Sequence, residues 1–422
     1  MIYDEFSPSR TRRTLTAGGR TLRALGLDGP LTGVLAIIVV IGILVVYSAS
    51  GQNWKMVQHH LANIGIAVAA MLALAKFSTP QYLRMFAPIA YVLGVLLLIV
   101  VDLKGHVGKG AQRWLDIGFM RFQPSEIMKL ALVLYVARYL ADHPKRLRGF
   151  KQAMAPVAVV AVPALLLIVV EPDLGTALVI AFTIGSLLVV AGIQLRHLGA
   201  LAAIATGCVL VLAVAQPYER ARLTSFLHPW SVQSGAGYQA VQGQIALGSG
   251  GLLGVGLGRS VQKTFYLPEA QTDFILAVVG EELGVLGVLV VVCLYAMVAY
   301  AGLRTARRAV DPYAKLLASG LTSLILCQGT LNIFVVLGIA PLTGVPLPFI
   351  SYAPTNLCVL LSAIGLLQNV SRPRARQLRV VDESTRATRA VGRSERPADP
   401  DRSRRHSGAR GAGAGGRRRA AG

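Results

Sequence analysis

The sequence predicts an all-α integral membrane protein. It has ten transmembrane helices, both termini on the cytoplasmic side, and a long extracytoplasmic loop between helices 7 and 8. Three observations carry that reading. First, 54% of the 422 residues are hydrophobic and only 15% are charged, whereas soluble domains carry about 25% charge. Second, ten separate stretches approach the 20 or so mostly apolar residues that a spanning helix needs. Third, Lys and Arg recur on alternate loops, as cytoplasmic loops do. Together these exclude an ordinary cytosolic enzyme, a disordered chain and a collagen-like chain. The net charge of +22 does not mark a nucleic-acid reader, because it sits on the ends and short loops of an apolar body.

Residues 1–30 are a basic leader with Arg10, Arg12, Arg13, Arg20 and Arg23. The ten spans follow at about 31–50, 61–78, 84–103, 124–141, 153–170, 174–193, 199–216, 273–302, 313–338 and 353–370. They are helices because an open strand leaves backbone groups unpaired in lipid. The first is a retained anchor: it is too long for a signal peptide, although Ser48-Ala49-Ser50 resembles a cleavage site. The fourth is unusual in carrying Glu126, Lys129 and Arg138. Lys76 and Arg84, then Lys145, Arg146, Arg148 and Lys151, then Arg196, then Arg304, Arg307 and Arg308 all fall on one side if the chain crosses ten times. Residues 371–422 hold fifteen Arg against five acids, a net +10, with few large apolar side chains, the composition of a disordered tail. Cys208, Cys293, Cys327 and Cys358 lie in apolar runs without metal-ligand spacing, so they read as small buried hydrophobes.

The opposite side collects the unusual residues. Arg113 stands in a Gly-rich loop, followed by Gln123-Pro124-Ser125-Glu126, a helix entry. Glu126 and Lys129 are one turn apart, either an ion pair that enters the membrane together or the lining of a polar cavity. In Glu171-Pro172-Asp173, Asp173 reads as a helix cap or as a catalytic acid. The 217–272 segment is too long for a simple connection and too aromatic for disorder, which points to amphipathic helices on the membrane surface. Its glycines between 248 and 258 suit close packing better than a phosphate loop, while Arg259 and Lys263 are placed to meet a phosphate. Pro268-Glu269-Ala270-Gln271-Thr272-Asp273 then enters span 8, with Thr272 or Asp273 as its cap. Asp273 lies at the water–lipid boundary as a candidate general base. Glu281 lies about 12 Å deeper by helix rise, as a functional or a packing acid. Pro341, Pro346 and Pro348 break the helix before span 10, so irregular backbone sits at that mouth.

These motifs resemble the SEDS family (shape, elongation, division and sporulation), over about residues 31–370. The resemblance rests on GAQRW with QPSEIMKLALVLYVARYL, EPDLGTA, GYQAVQGQIALGSGGLLGVGLG, YLPEAQTDFI with GEELG, and PLTGVPLPFISY. It is strongest to the division branch, FtsW, and next to the elongation branch, RodA. The resemblance implies a peptidoglycan glycosyltransferase that polymerises lipid II on the outer face of the cytoplasmic membrane. Asp273 is then catalytic. Arg113, Glu126, Lys129, Lys263, Glu269, Gln271, Thr272 and Ser351 bind substrate. Positive charge for the leaving pyrophosphate comes from Arg113, Lys263 or a divalent cation such as Mg2+. The implied partners are lipid II, the undecaprenyl-pyrophosphate-linked glycan, a class B penicillin-binding transpeptidase and other division proteins, with no nucleic acid. The sequence departs from the family's SYGGSS at Ser351-Tyr352-Ala353-Pro354-Thr355-Asn356. Two rival functions stay open: a lipid II flippase, with Glu281 and the Glu126–Lys129 pair as waypoints, and a scaffold that activates a transpeptidase.

Overall fold

The computed structural model describes residues 27–108, 111–117, 120–145, 150–194, 196–200, 203, 207, 217–231, 237–268 and 270–372. The basic leader up to 26, Glu269, most of the seventh expected span and the Arg-rich tail from 373 lie outside these residues.

Nine long helices are present among the described residues: α1 (Gly29–Ala49), α2 (Trp54–Phe77), α3 (Pro80–Lys104), α4 (Pro124–Asp142), α5 (Phe150–Val170) and α6 (Leu174–Val190), then, after three shorter helices, α10 (Ile275–Arg308), α11 (Pro312–Val336) and α12 (Pro354–Ser371). The shorter ones are α7 (Pro217–Leu227), α8 (Tyr238–Ser249) and α9 (Gln262–Phe265). They occupy the long loop in which the sequence predicts surface helices. Five helices, α1, α2, α3, α10 and α11, are long and apolar enough to cross a membrane by length and composition. The protein is an all-α multi-pass membrane protein with one small departure. The Gly-rich stretch expected as a loop contains a three-stranded antiparallel sheet: β1 (His106–Gly108), β2 (Ala111–Ile117) and β3 (Met120–Phe122), with β2 central. Trp114 pairs with His106, and Leu115 with Phe122.

Most helices begin where the side chains dictate. Asp28 caps α1 through Leu31 N at 3.3 Å, Asn53 caps α2, Thr79 caps α3 and Asp311 caps α11, and Pro follows the cap in α1, α3 and α11. α2 starts seven residues before the span expected at 61, because Asn53 supplies the cap and polar residues continue the helix outward. α11 is the central post. Its most apolar window is 67% buried inside the protein, against 22% for α2 and α3, and it packs on α10, α6, α4 and α12. α4 is less apolar because of its charges, yet it is among the most buried helices, and two of those charges, Glu126 and Lys129, face protein.

Polar ties join the helix ends in two groups. At one end Arg304 pairs with Asp28 at 2.5 Å, Asp28 N donates to Gln368 at 2.6 Å, and Arg84 meets Asp142. At the other end Arg113 reaches the 171–172 backbone, and Tyr352 N donates to Gln271 O at 2.9 Å. The cysteines depart from the expectation of buried hydrophobes. Cys293 is exposed, and Cys327 and Cys358 are half-buried. On a membrane protein the apolar outside face is as natural a place for a thiol as the core. Cys208 lies outside the described residues.

Candidate active site

The site is built where the start of α10 meets the Pro-rich segment 337–353. Residues 271–274 are turns, and α10 begins at Ile275 with Phe274 as its N-cap residue and no side-chain cap bond. This corrects the sequence expectation that Thr272 or Asp273 caps the helix. Instead Thr272 Oγ1 donates to Asp273 Oδ1 at 2.7 Å. Gln271, Thr272 and Asp273 are all half-buried.

The backbone around Asp273 is clamped from three sides. Asn332 Nδ2 donates to Asp273 O at 2.7 Å and to Val345 O at 2.8 Å. Ser351 Oγ donates to Thr272 O at 2.5 Å and accepts from Leu347 N at 2.8 Å. Tyr295 OH donates to Pro348 O at 2.5 Å. The mouth segment has no helical ladder of its own, so buried side chains supply its partners. Ser351, expected to bind substrate, here holds backbone and is buried. A Cβ placed on Gly344 would lie 3.8 Å from Asp273 Oδ2, so the carboxylate lies beside this loop. Gly175 at the start of α6 allows the same loop to close from the far side, since a Cβ there would come within 2.6 Å of Thr343 O.

One helical turn from Asn332, Gln328 continues the clamp. Its Nε2 donates to Pro346 O at 2.9 Å and its Oε1 accepts from Lys129 Nζ at 2.8 Å. Lys129 also pairs with Glu126 at 2.8 Å, and both side chains are at most 3% exposed. Asn356 Nδ2 donates to Glu126 Oε2 at 2.7 Å. The ion pair therefore lies inside the bundle and carries hydrogen bonds on both members, the arrangement that makes a buried pair tolerable. Asn356 belongs to the segment that departs from the family pattern, and it is the residue that completes Glu126.

Arg113 is half-buried. Its Nε donates to Glu171 O at 2.9 Å, and Nη2 donates to Pro172 O. Asp173 caps α6, accepting from Thr176 N at 3.1 Å, and its other oxygen accepts from Gln123 Nε2 at 3.0 Å. Its cap role is the one the structure displays. Glu171 is buried, and both carboxyl oxygens lack a hydrogen-bond partner among the described residues. Burial, and then the nearby Asp173 and Asp102, push its carboxyl from about 4.5 up to about 9, with Arg113 opposing. The folded protein keeps this proton where the unfolded chain has lost it. The contribution to stability is therefore full below about pH 4.5 and is lost as pH rises toward 9, by about 1.4 kcal/mol per pH unit at most. Glu171→Gln is expected to flatten that part of the decline in melting temperature between about pH 5 and 9. An unchanged decline would show that Glu171 does not hold the proton.

Lys263 departs from its expected place before a phosphate. Its ammonium pairs with Glu282 and donates to Ser48 Oγ at 2.6 Å, with the side chain 5% exposed. Glu281 accepts from Ser260 Oγ and from Val261 N at 3.0 Å, the behaviour of a packing acid. Arg259 is exposed. Sequence reasoning singled out neither Asn332, Gln328 nor Glu282, and noted Asn356 only as part of the departure from the family's pattern. For Asn332 and Gln328 the only signal was an amide in an apolar run. Among the described residues, no group of three or more His, Cys, Asp or Glu side chains is gathered that could hold a metal ion.

Fold and site together define a multi-pass helical membrane protein with a carboxylate fixed at the mouth of its bundle. A family model described as Cell cycle protein, covering FtsW, RodA and SpoVE, matches residues 30–376, and the chain belongs to this SEDS family. It is 36% identical over 362 residues to Stage V sporulation protein E of Bacillus subtilis, covering 83% of this chain and 99% of that one. It is 36% identical over 347 residues to Peptidoglycan glycosyltransferase MrdB of Escherichia coli, covering 82% and 93%. It is also 36% identical over 339 residues to Probable peptidoglycan glycosyltransferase FtsW of Geobacter metallireducens, covering 78% and 90%. The fold matches Thermus thermophilus Rod shape determining protein RodA with a TM-score of 0.63 at 27% identity, covering 83% of this chain and 98% of that one. It also matches, with a TM-score of 0.72 at 28% identity and the same coverages, a chain from a peptidoglycan synthase complex that coordinates polymerization and crosslinking.

Proposed function

We propose that the protein polymerises lipid II into glycan strands on the outer face of the cytoplasmic membrane. Asp273 is the general base: it takes the proton from the acceptor sugar hydroxyl as that oxygen attacks the anomeric carbon of the lipid-linked donor, and undecaprenyl pyrophosphate leaves with inversion at that carbon. The single observation that supports this reading is the position of the acids. Glu126, Glu281 and Glu282 are each buried inside the protein, where a cation or hydrogen-bond donors hold them. Asp273 is half-buried at the mouth, with its backbone gripped by Asn332 and its neighbour's carbonyl by Ser351. A flippase needs a polar path through the bundle, and the deep acids are engaged in structure instead. Lys263 is held by Glu282, so Arg113 is the cation assigned to the pyrophosphate, with Glu126, Lys129, Glu269, Gln271, Thr272 and Ser351 shaping or supporting the substrate cavity. The test is purified protein in vesicles carrying labelled lipid II. Polymer on a gel without transbilayer movement supports the transferase; movement without polymer supports the flippase.

The proposed topology has ten spans with both ends cytoplasmic. α6 starts beside Arg113 and α10 beside Tyr352, at the same end of the bundle. This arrangement supports one further crossing between them, the span expected at 199–216. Residues 1–30 are then a cytoplasmic leader, 31–370 the transferase domain and 371–422 a cytoplasmic tail whose charge meets anionic lipid. A cysteine placed within 145–151 or after 372 is expected to label only from the cytoplasm, and one within 225–236 only from outside. Outside labelling of 145–151 would overturn the topology. A division role at the septum, beside a class B transpeptidase, rests on the YLPEAQTDFI and GEELG form. Rescue of cells depleted of their own division member, and not of the elongation member, tests it.

A further inference from the structure

α10 is not one continuous helix. Gly284 has φ +69° and ψ −166°, a conformation closed to residues with a Cβ. In an unbroken helix Val285 N would donate to Glu281 O, and Leu286 N to Glu282 O. Here all four groups turn to another segment. Val255 N donates to Glu281 O at 2.9 Å and Gly256 N to Glu282 O at 3.0 Å. Val285 N donates to Gly251 O at 3.0 Å and Leu286 N to Leu252 O at 3.3 Å. The loop between α8 and α9 is thus inserted into the break, backbone to backbone. The contact is so close that a Cβ on Gly254 would stand 2.1 Å from Glu282 O.

Depth follows from position along the helix. Gly284 is nine residues past Ile275, about 13 Å by helix rise, on a helix long and apolar enough to cross a membrane. The side chains of the loop point away from the protein: Leu252 is 73% and Leu253 77% exposed, and Leu257 is exposed as well. No ionisable residue occurs from Leu247 to Gly258. On α10 beside the break, Val285, Leu286, Leu289 and Val290 are also exposed, so the loop extends an apolar face that the helix already presents. Irregular backbone cannot face lipid unless its polar groups are satisfied, and the broken helix supplies partners for four groups of this one, Gly251 O, Leu252 O, Val255 N and Gly256 N.

We infer that residues 250–257 form a re-entrant loop seated in the hydrocarbon of the membrane, with Leu252 and Leu253 in contact with lipid rather than water. The inference requires only that α10 crosses the membrane; it is independent of the chemistry at Asp273. The test uses the full chain in lipid nanodiscs without partners, with Cys208, Cys293, Cys327 and Cys358 replaced by Ala and a spin label at Leu253→Cys. The label is expected to collide with dissolved oxygen and to be shielded from a water-soluble nickel chelate, as at Leu289→Cys on α10. Chelate access equal to that at Val310→Cys, an exposed loop position, would overturn the inference. So would shielding from both reagents, which would mean that protein covers the loop. Hydroxyl-radical footprinting of the unsubstituted protein gives a second reading should the variants misfold. Leu252 and Leu253 are expected to stay unoxidised while Val310 is oxidised, and oxidation of all three would contradict the assignment.

Discussion

Asp273→Asn is expected to fold, insert and bind lipid II while making no detectable glycan. Loss of a general base typically costs about 10²–10⁴-fold, enough to empty a gel of polymer. The substitution is clean for a structural reason. Asp273 is not the cap of α10, so removing its charge does not loosen the helix start. Thr272 Oγ1, which donates to Asp273 Oδ1, finds the same acceptor in Asn. The grip of Asn332 is on the Asp273 backbone carbonyl and is untouched by the change. Asp273→Glu should also be poor, because a shift of about 1 Å in a positioned group costs on the order of 100-fold. A scaffold would tolerate both changes. Normal polymer from Asp273→Asn would remove the base from this residue.

Lys129→Met is expected to produce the largest loss of stability, about 3–5 kcal/mol, because it strands a buried carboxylate. Glu126 would keep Asn356 as a donor but lose its cation, and Gln328 Oε1 would lose its Lys129 partner. Since Gln328 also holds Pro346 O, the mouth should loosen and activity fall with stability. The double variant Glu126→Gln, Lys129→Met removes both charges and should recover much of the melting temperature. The cycle distinguishes a stranded charge from a missing contact. If the double variant is as unstable as Lys129→Met, the pair is not what holds α4 to α11 and α12.

Much of the architecture was legible in the sequence because lipid imposes a long, simple signal. Nine of the ten expected spans fall on described helices, and Asp173 as a cap and Gln123-Pro124 as a helix entry follow from short-range chemistry. What stayed hidden has other causes. Hydropathy sees α10 as one apolar run and is blind to the positive φ of Gly284, whose need comes from a loop some thirty residues upstream. In the sheet at 106–122 two of the three strands are only three residues long, too short to show a period of two. The Asn332 and Gln328 clamps, and the bond from Asn356 to Glu126, join residues that are neighbours only after folding. In the sequence Lys263, like Arg259, reads as placed before a phosphate because a cation in a long loop looks available. Its partner Glu282 is nineteen positions away, in a run read as membrane. Asp273 stands out in either view as an acid just before a helix, since α10 begins at Ile275.

The most direct measurement compares three purified proteins on lipid II in one gel assay: wild type, Asp273→Asn and Asp173→Asn. The site geometry predicts long glycan from the wild type and none from Asp273→Asn. Asp173→Asn should retain most of its polymer, since Asn caps a helix about as well as Asp and its Oδ1 can still accept from Thr176 N. Polymer from Asp273→Asn together with none from Asp173→Asn would place the base in the 171–173 turn and contradict the mechanism.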